Sequence, residues 1–229
     1  SDGISSFLLK LSLPYIVEPL TFIYNLCIDK AIFPDSLKLA KVVPLAKSKD
    51  ISDPNNFRPI SLLSVVSKPL ERHVQKHLLK FLEDHNLFYP FQSGFRHKHS
   101  CQSALIRLCD SLLSSINNDE VCGAVFLDFK KAFDLVNHSI LLQKLALYVR
   151  HTPTIDFFQS YLDKRKQRVL VNGCYSQEGT VKCGVPQGSI LGPILFGIFI
   201  NDLPFNITNN TVSCDMFADD NSLHTSAKD

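Results

Sequence analysis

The apolar, β-rich run Val212–Phe217 ends in two adjacent carboxylates, Phe217-Ala218-Asp219-Asp220, and a third, Asp128, ends another such run, Val121–Leu127. Strands that each finish in acid restrict the chain to a sheet that carries three negative side chains from two strand ends. Mg²⁺ prefers hard carboxylate oxygens and bridges substrate phosphates, so a pair of these ions suits such a set. Without cations, like-charge repulsion would raise the pKa of at least one carboxyl group. The chemistry implied is nucleotidyl transfer, with Asp128 and Asp219 as ligands and Asp220 as a third member. Taken alone, an acidic dipeptide is also what a solvated β-turn carries.

Four further features fix the context. Around Asp128 the chain reads Phe126-Leu-Asp-Phe-Lys-Lys-Ala-Phe-Asp134, and between the acidic sites lies Gly184-Val-Pro-Gln-Gly-Ser-Ile-Leu-Gly-Pro-Ile-Leu-Phe196. Upstream stand Asn56-Phe-Arg-Pro-Ile-Ser-Leu62 and Gln92-Ser-Gly-Phe-Arg96. With the Asp-Asp hairpin these segments, in this order and spacing, resemble the reverse transcriptase domain of non-LTR (LINE-like) retrotransposons. The resemblance covers nearly the whole chain, from Asp2-Gly-Ile to the hairpin. The chain departs from the pattern at Phe217, where Tyr is frequent; that swap removes a hydroxyl and leaves the carboxylates untouched.

The resemblance implies an RNA-directed DNA polymerase that adds dNTPs to a DNA primer 3′-hydroxyl on an RNA template, using two Mg²⁺ ions or Mn²⁺ in their place. Asp128, Asp219 and Asp220 become the catalytic, metal-binding set. Phe133 takes the place of an aromatic ring beneath the incoming sugar, where it leaves no room for a 2′-hydroxyl; otherwise it is one more core aromatic among 17 Phe residues. Gln187 and Gly188 fall in the segment that contacts template and nucleotide, since glycine admits close backbone approach and glutamine offers donor and acceptor. Lys47, or Lys49 in its place, and Arg58 fall against the triphosphate, where Arg grips oxygens bidentately. Asp134 orients its loop or binds solvent.

Two basic clusters, Arg96-His-Lys98-His99 and Lys164-Arg165-Lys166-Gln-Arg168, read either as template and primer phosphate contacts or as solvated surface. Two rivals stand beside the polymerase: an RNA-dependent RNA polymerase, against which Phe133 and the Pro-Gln-Gly segment argue, and an inactive nucleic-acid-binding remnant of a decayed element.

At 229 residues and 45% hydrophobic, the chain can bury a substantial core. A net charge of +2 means that nucleic acid must be held by local Lys and Arg clusters rather than a global field. The seven cysteines show no metal spacing and read as reduced, mostly buried residues of an intracellular protein. The resemblance implies nucleus or cytoplasm, within a larger retrotransposon polyprotein. Leu191–Ile200 is too short to span a bilayer, so no transmembrane helix is expected, and Phe7–Val17 lacks the basic leader of a signal peptide.

Apolar periodicity predicts helices over Pro14–Lys30 with one buried face, Ser67–Asp84, Ser100–Asn117, Ser139–Val149 with Ser139 as N-cap, and Pro193–Asp202. Strands are expected at Lys41–Ala46, with Pro44 at an edge or bend, and at Val121–Leu127, Arg168–Gly173, Gly179–Cys183 and the Val212–Leu223 hairpin. The fold class is α/β (α+β), an antiparallel palm sheet covered by helices. By resemblance it is a single right-hand polymerase fragment, with fingers and a leading helical segment over about 1–118, palm over about 119–229, and no thumb.

Overall fold

The computed structural model describes residues 3–47, 49–50, 52–207 and 212–228. Asp2, at the start of the matched segment, lies outside them. In chain order the elements are α1 (Ser6–Asp29), β1 (Leu39–Ala46), β2 (Phe57–Leu62), α2 (Ser67–Asp84), α3 (Cys101–Asn117), β3 (Val121–Asp128), α4 (His138–Tyr148) and α5 (Thr152–Leu162). There follow β4 (Lys166–Val171), β5 (Cys174–Tyr175), β6 (Gly179–Thr180), α6 (Gly192–Ile200), α7 (Leu203–Ile207), β7 (Val212–Phe217) and β8 (Asp220–Ala227). The chain divides into two compact units, one of residues 1–78 and 133–192, the other of residues 79–132 and 193–229.

The first unit holds a mixed sheet ordered β2-β1-β4-β5, with β6 also beside β4. β1 runs antiparallel to β2 and parallel to β4, but the parallel pairing stops at Val42, so Pro44 faces only Pro59 of β2. A proline, which lacks an amide donor, is tolerated where one side of the strand is unpaired. Phe33 is fully buried, with Tyr161 and Phe157 of α5 against it edge-on at centroid distances of 5.0 and 6.2 Å. Leu70, Leu141, Leu145, Phe158 and Leu162 join it in the core. Each such side chain contributes roughly 1.5–3 kcal/mol by leaving water.

α1 differs from expectation. It begins eight residues before Pro14 and runs unbroken through both Pro14 and Pro19. Its inward stripe is Leu9, Ser12, Ile16, Leu20, Tyr24 and Cys27, of which only Cys27 is buried, while Tyr15 is 86% exposed and Ile23 and Leu26 are also exposed. The Tyr24 hydroxyl donates to the Val66 carbonyl at 2.6 Å. With 24 residues of mostly apolar character, α1 is long and apolar enough to cross a membrane. The expectation of no such helix rested on the shortness of Leu191–Ile200 and did not weigh α1, which continues through both prolines.

The second unit is built on an antiparallel sheet ordered β3-β8-β7. Cys214 and Met216 of β7 are buried, as are Leu195 and Ile198 of α6, and the Tyr89 hydroxyl donates to the Cys214 carbonyl at 3.1 Å. α3 opens on a capping box between Ser100 and Ser103. The N-cap of α4 is Asn137 rather than Ser139; its side chain accepts from the Ile140 amide at 3.1 Å. The cysteines are all free, yet Cys27 and Cys214 alone are buried, whereas Cys101, Cys109, Cys174 and Cys183 are exposed. The first two of these exposed residues fall on the outer face of α3, where an apolar run does not imply burial.

Candidate active site

β3 delivers Asp128 at its last position, and its register partner is Asp220, the first residue of β8. Asp219 lies with Ala218 in the two-residue turn that joins β7 to β8. Residues directly opposite in an antiparallel pair share a face with Cβ atoms about 4.5–5.5 Å apart, and like charges there repel. Asp128 and Asp220 are exposed, and neither makes an ion pair among the described residues. An uncompensated pair of hard oxygen donors fits a divalent cation. No group of three His, Cys, Asp or Glu among the described residues stands close enough to hold a metal ion. The structure therefore sets Asp128 and Asp220 opposite each other and does not gather Asp219 with them into a closed cage.

Behind this hairpin lies a charged cluster that sequence reasoning missed. Asp215 of β7 is 6% exposed; Arg107 Nε stands 3.0 Å and His224 Nδ1 3.5 Å from its carboxylate. His224 Nε2 meets Ser111 Oγ at 3.1 Å, and the Arg107 guanidinium lies 3.1 Å from the Phe91 ring centroid. Burial pushes the Asp215 carboxyl pKa up, while Arg107 and His224 pull it down. Burial, aided by the Asp215 charge, pushes the Cys214 thiol up to about 11. The sequence signal was a lone acid between Cys214 and Met216 in an otherwise apolar run, and all three residues are buried.

In the other unit the Gly184–Ser189 segment is fixed on three sides. The amides of Gly184 and Val185 donate to the carbonyls of Val136 and Phe133 at 2.7 and 2.9 Å, which anchors it to the turn carrying half-buried Phe133. The Ser61 amide of β2 donates to the Gln187 carbonyl at 2.7 Å, and Gly188 adopts φ +119 where a Cβ would stand 2.5 Å from the Ser61 carbonyl oxygen. Only glycine fits there. Gln187 Nε2 donates to Asp134 Oδ1 at 2.8 Å, which gives Asp134 an orienting partner. Glu71, nearly fully buried on α2, accepts the amides of Ile190 and Leu191 at 2.9 and 3.4 Å and the Ser67 hydroxyl at 2.9 Å. A glutamate on the apolar face of α2 between Leu70 and Val74 was the sequence signal for it.

Leu45 pairs with Arg58, and strand alternation returns Lys47 to that same side of the β1–β2 hairpin. Both cations are exposed, and neither makes an ion pair among the described residues. Lys49 lies beyond the strand.

The basic clusters split. Arg165 is 1% exposed, with Nη1 donating to the Tyr161 carbonyl at 3.1 Å and its guanidinium 4.8 Å from the Tyr161 ring centroid. It packs the core and cannot reach nucleic acid, which corrects the expectation. Arg96 is half-buried and its Nη1 donates to the carbonyls of Tyr89 and Gln92 at 3.3 and 3.1 Å, so it too is tied to backbone rather than presented as a phosphate contact. Arg168 lies over the Tyr175 ring at 4.3 Å and Lys166 reaches Glu178 at 3.4 Å. Lys98 and Lys164 are exposed.

Comparison with known proteins fits this geometry. Residues 46–229 match the family model for reverse transcriptase (RNA-dependent DNA polymerase). The chain is 37% identical over 186 residues to the probable RNA-directed DNA polymerase from transposon BS of Drosophila melanogaster, covering 81% of this chain and 20% of that protein. It is 33% identical over 215 residues to the RNA-directed DNA polymerase from mobile element jockey of the same organism, covering 91% of this chain and 23% of that protein. The chain thus spans about a fifth of the length of these relatives. Its fold is shared with apo telomerase from Candida tropicalis truncated from the C-terminal domain, at a TM-score of 0.59 and 15% identity, over 91% of this chain and 49% of that one. The chain belongs to the reverse transcriptase family, among the RNA-directed DNA polymerases of non-LTR retrotransposons.

Proposed function

We propose that the protein of which this chain is a part is an RNA-directed DNA polymerase, working inside the cell within a larger polyprotein, and that Asp128, Asp219 and Asp220 carry its nucleotidyl transfer. The observation that carries the reading is the register that pairs Asp128 with Asp220 at the mouth of the β7–β8 turn. The chemistry that a bound pair of divalent cations supplies is activation of the primer 3′-hydroxyl and neutralisation of the triphosphate. Asp128 and Asp220 would hold the cations by their carboxylate oxygens, with Asp219 joining them from the turn. Lys47 and Arg58 neutralise the triphosphate from one side of the β1–β2 hairpin. Gln187, held by Asp134, offers its carbonyl oxygen to the nucleotide or template base, and Gly188 lets backbone approach it. Phe133 excludes a 2′-hydroxyl. Lys98, Lys164, Lys166 and Arg168 contact template and primer phosphates.

Primer extension by the complete polypeptide on an RNA template, with dNTPs and then with rNTPs, tests this. Asp219→Asn should lower dNTP addition by several orders of magnitude, since it removes charge at a site that stabilises a charged transition state. Activity retained within about tenfold would remove Asp219 from the site. Phe133→Val should raise rNTP use relative to dNTP by about ten- to a hundredfold. Preference for rNTPs in the unaltered protein would mark an RNA polymerase, and binding without extension would mark a remnant.

A further inference from the structure

The Gln92-Ser93-Gly94 segment has no part in the scheme above, yet it is laid along the strand that ends in the carboxylate turn. Gln92 forms a parallel bridge to Met216; the Ser93 amide donates to the Met216 carbonyl at 2.8 Å, and the Met216 amide to the Phe91 carbonyl at 3.1 Å. The Gln92 side chain, 1% exposed, then turns towards the hairpin. Its Oε1 accepts two amides, from Gly94 at 2.7 Å and from Ala218 at 3.1 Å. Ala218 is left-handed, φ +59, which strains a residue with a Cβ and requires support from its surroundings. Gly94 supplies the rest of that support, because a Cβ there would strike the Ala218 amide nitrogen and stand 2.8 Å from its Cα.

We infer that Gln92 is the positioning residue of the carboxylate turn: by accepting the Ala218 amide it holds the left-handed conformation that sets where Asp219 leaves the hairpin, and so tunes divalent-cation affinity. The inference rests on the proposed metal role of Asp128, Asp219 and Asp220. Two donors on Oε1 fix the orientation of the amide, so Nε2 is left as a buried donor with no partner among the described residues. A glutamine used only to fill the core would leave neither the Ala218 amide satisfied nor a donor unspent. Its acceptor is the functional atom, and Glu can replace it while Leu cannot.

The complete polypeptide carrying Gln92→Leu or Gln92→Glu is compared with the unaltered protein by two metal titrations and one metal-free measurement. Mn²⁺ binding is read by electron paramagnetic resonance without nucleic acid, and the Mg²⁺ concentration for half-maximal primer extension is read separately. Gln92→Leu should weaken Mn²⁺ binding and raise the Mg²⁺ midpoint by about tenfold, the scale of one buried hydrogen bond. Gln92→Glu should leave both within about threefold. A lost fraction of folded enzyme lowers the maximum rate without moving either midpoint, so unchanged midpoints in Gln92→Leu overturn the inference. Should Gln92→Leu not fold, Gln92→Asn, whose carbonyl falls one methylene short of both amides, is held to the same outcome. If the unaltered protein binds no Mn²⁺, the metal reading of the carboxylates fails on its own. Hydrogen exchange of the Ala218 amide then decides the clamp: acceleration of about tenfold in Gln92→Leu supports it, and equal exchange refutes it.

Discussion

The Gln187 side chain donates to the Asp134 carboxylate at 2.8 Å, across 53 residues of sequence. Asp134 therefore fixes which face of the Gln187 amide stays open, leaving the carbonyl oxygen to a ligand. If Gln187 reads the nucleotide or the template base, removing Asp134 should act through it. Asp134→Ala and Gln187→Ala should each raise the dNTP KM by about three- to tenfold with a smaller change in kcat, the worth of one hydrogen bond. The double variant should be no worse than the poorer single. Steady-state kinetics over a dNTP titration checks this, and fully additive losses would separate the two residues.

Asp128 and Asp220 face each other as like charges across the β3–β8 pair. In a metal-free buffer that juxtaposition destabilises the sheet, so Asp128→Asn should raise stability to urea by about 0.2–1 kcal/mol when EDTA is present. Added Mg²⁺ should stabilise the unaltered protein and leave the variant nearly unmoved. Chemical melts in both buffers measure the two differences. Loss of stability in EDTA would mean that Asp128 serves the fold rather than the ions.

Long periodic helices were legible in the sequence because packing and local pattern agree there. α2 buries Leu70, Leu78 and Leu82 as its spacing requires, and Pro69 occupies its first turn. α5 went unread because Pro153 looks like a breaker, although it sits in the opening turn of the helix, where proline is favoured. β2 went unread because Arg58-Pro59 interrupts the apolar alternation, while its pairing with β1 outweighs local propensity. The acidic residues were legible as types at strand ends. What sequence could not reveal is the register that sets Asp220, not Asp219, opposite Asp128, or the Gln92 contact with Ala218 across 126 residues. Contacts at such separation leave no local pattern.

The run Lys164–Arg168 reads as a uniform basic surface, but Lys164 takes a left-handed φ of 55° and Arg165 turns inward. Arg165→Ala should therefore destabilise the protein by about 2–4 kcal/mol, through lost packing against the Tyr161 ring and a lost hydrogen bond to its carbonyl. The salt dependence of RNA binding should be unaltered by it. Lys164→Ala and Lys166→Ala should do the reverse, leaving stability nearly unchanged and reducing the slope of log affinity against log salt by about one each. Thermal melts and binding at several salt concentrations distinguish the two patterns. A reduced slope in Arg165→Ala would return that residue to the nucleic-acid surface.

Cys214 offers a chemical probe of the packing behind the carboxylate hairpin. Burial, together with the neighbouring Asp215 charge, raises its thiol from an ordinary value of 9.0 to about 11. At pH 8 the thiolate is then about a hundredfold scarcer than for an unperturbed thiol, before steric protection is counted. Iodoacetamide at that pH should label exposed Cys101, Cys109, Cys174 and Cys183 first and Cys214 far behind them. The sign of the stability effect follows from the same shift. Because the folded state holds this proton more tightly than the unfolded state, the stabilisation from Cys214 is fully present below about pH 9 and is lost as pH rises towards about 11. Cys214→Ser, whose hydroxyl does not titrate in this range, should flatten that part of the stability profile. Peptide mass spectrometry after timed alkylation reads the first outcome, and melts across alkaline pH read the second. Labelling of Cys214 at the rate of Cys101 would mean that β7 opens readily, and a hairpin that opens cannot hold Asp219 for the role proposed above.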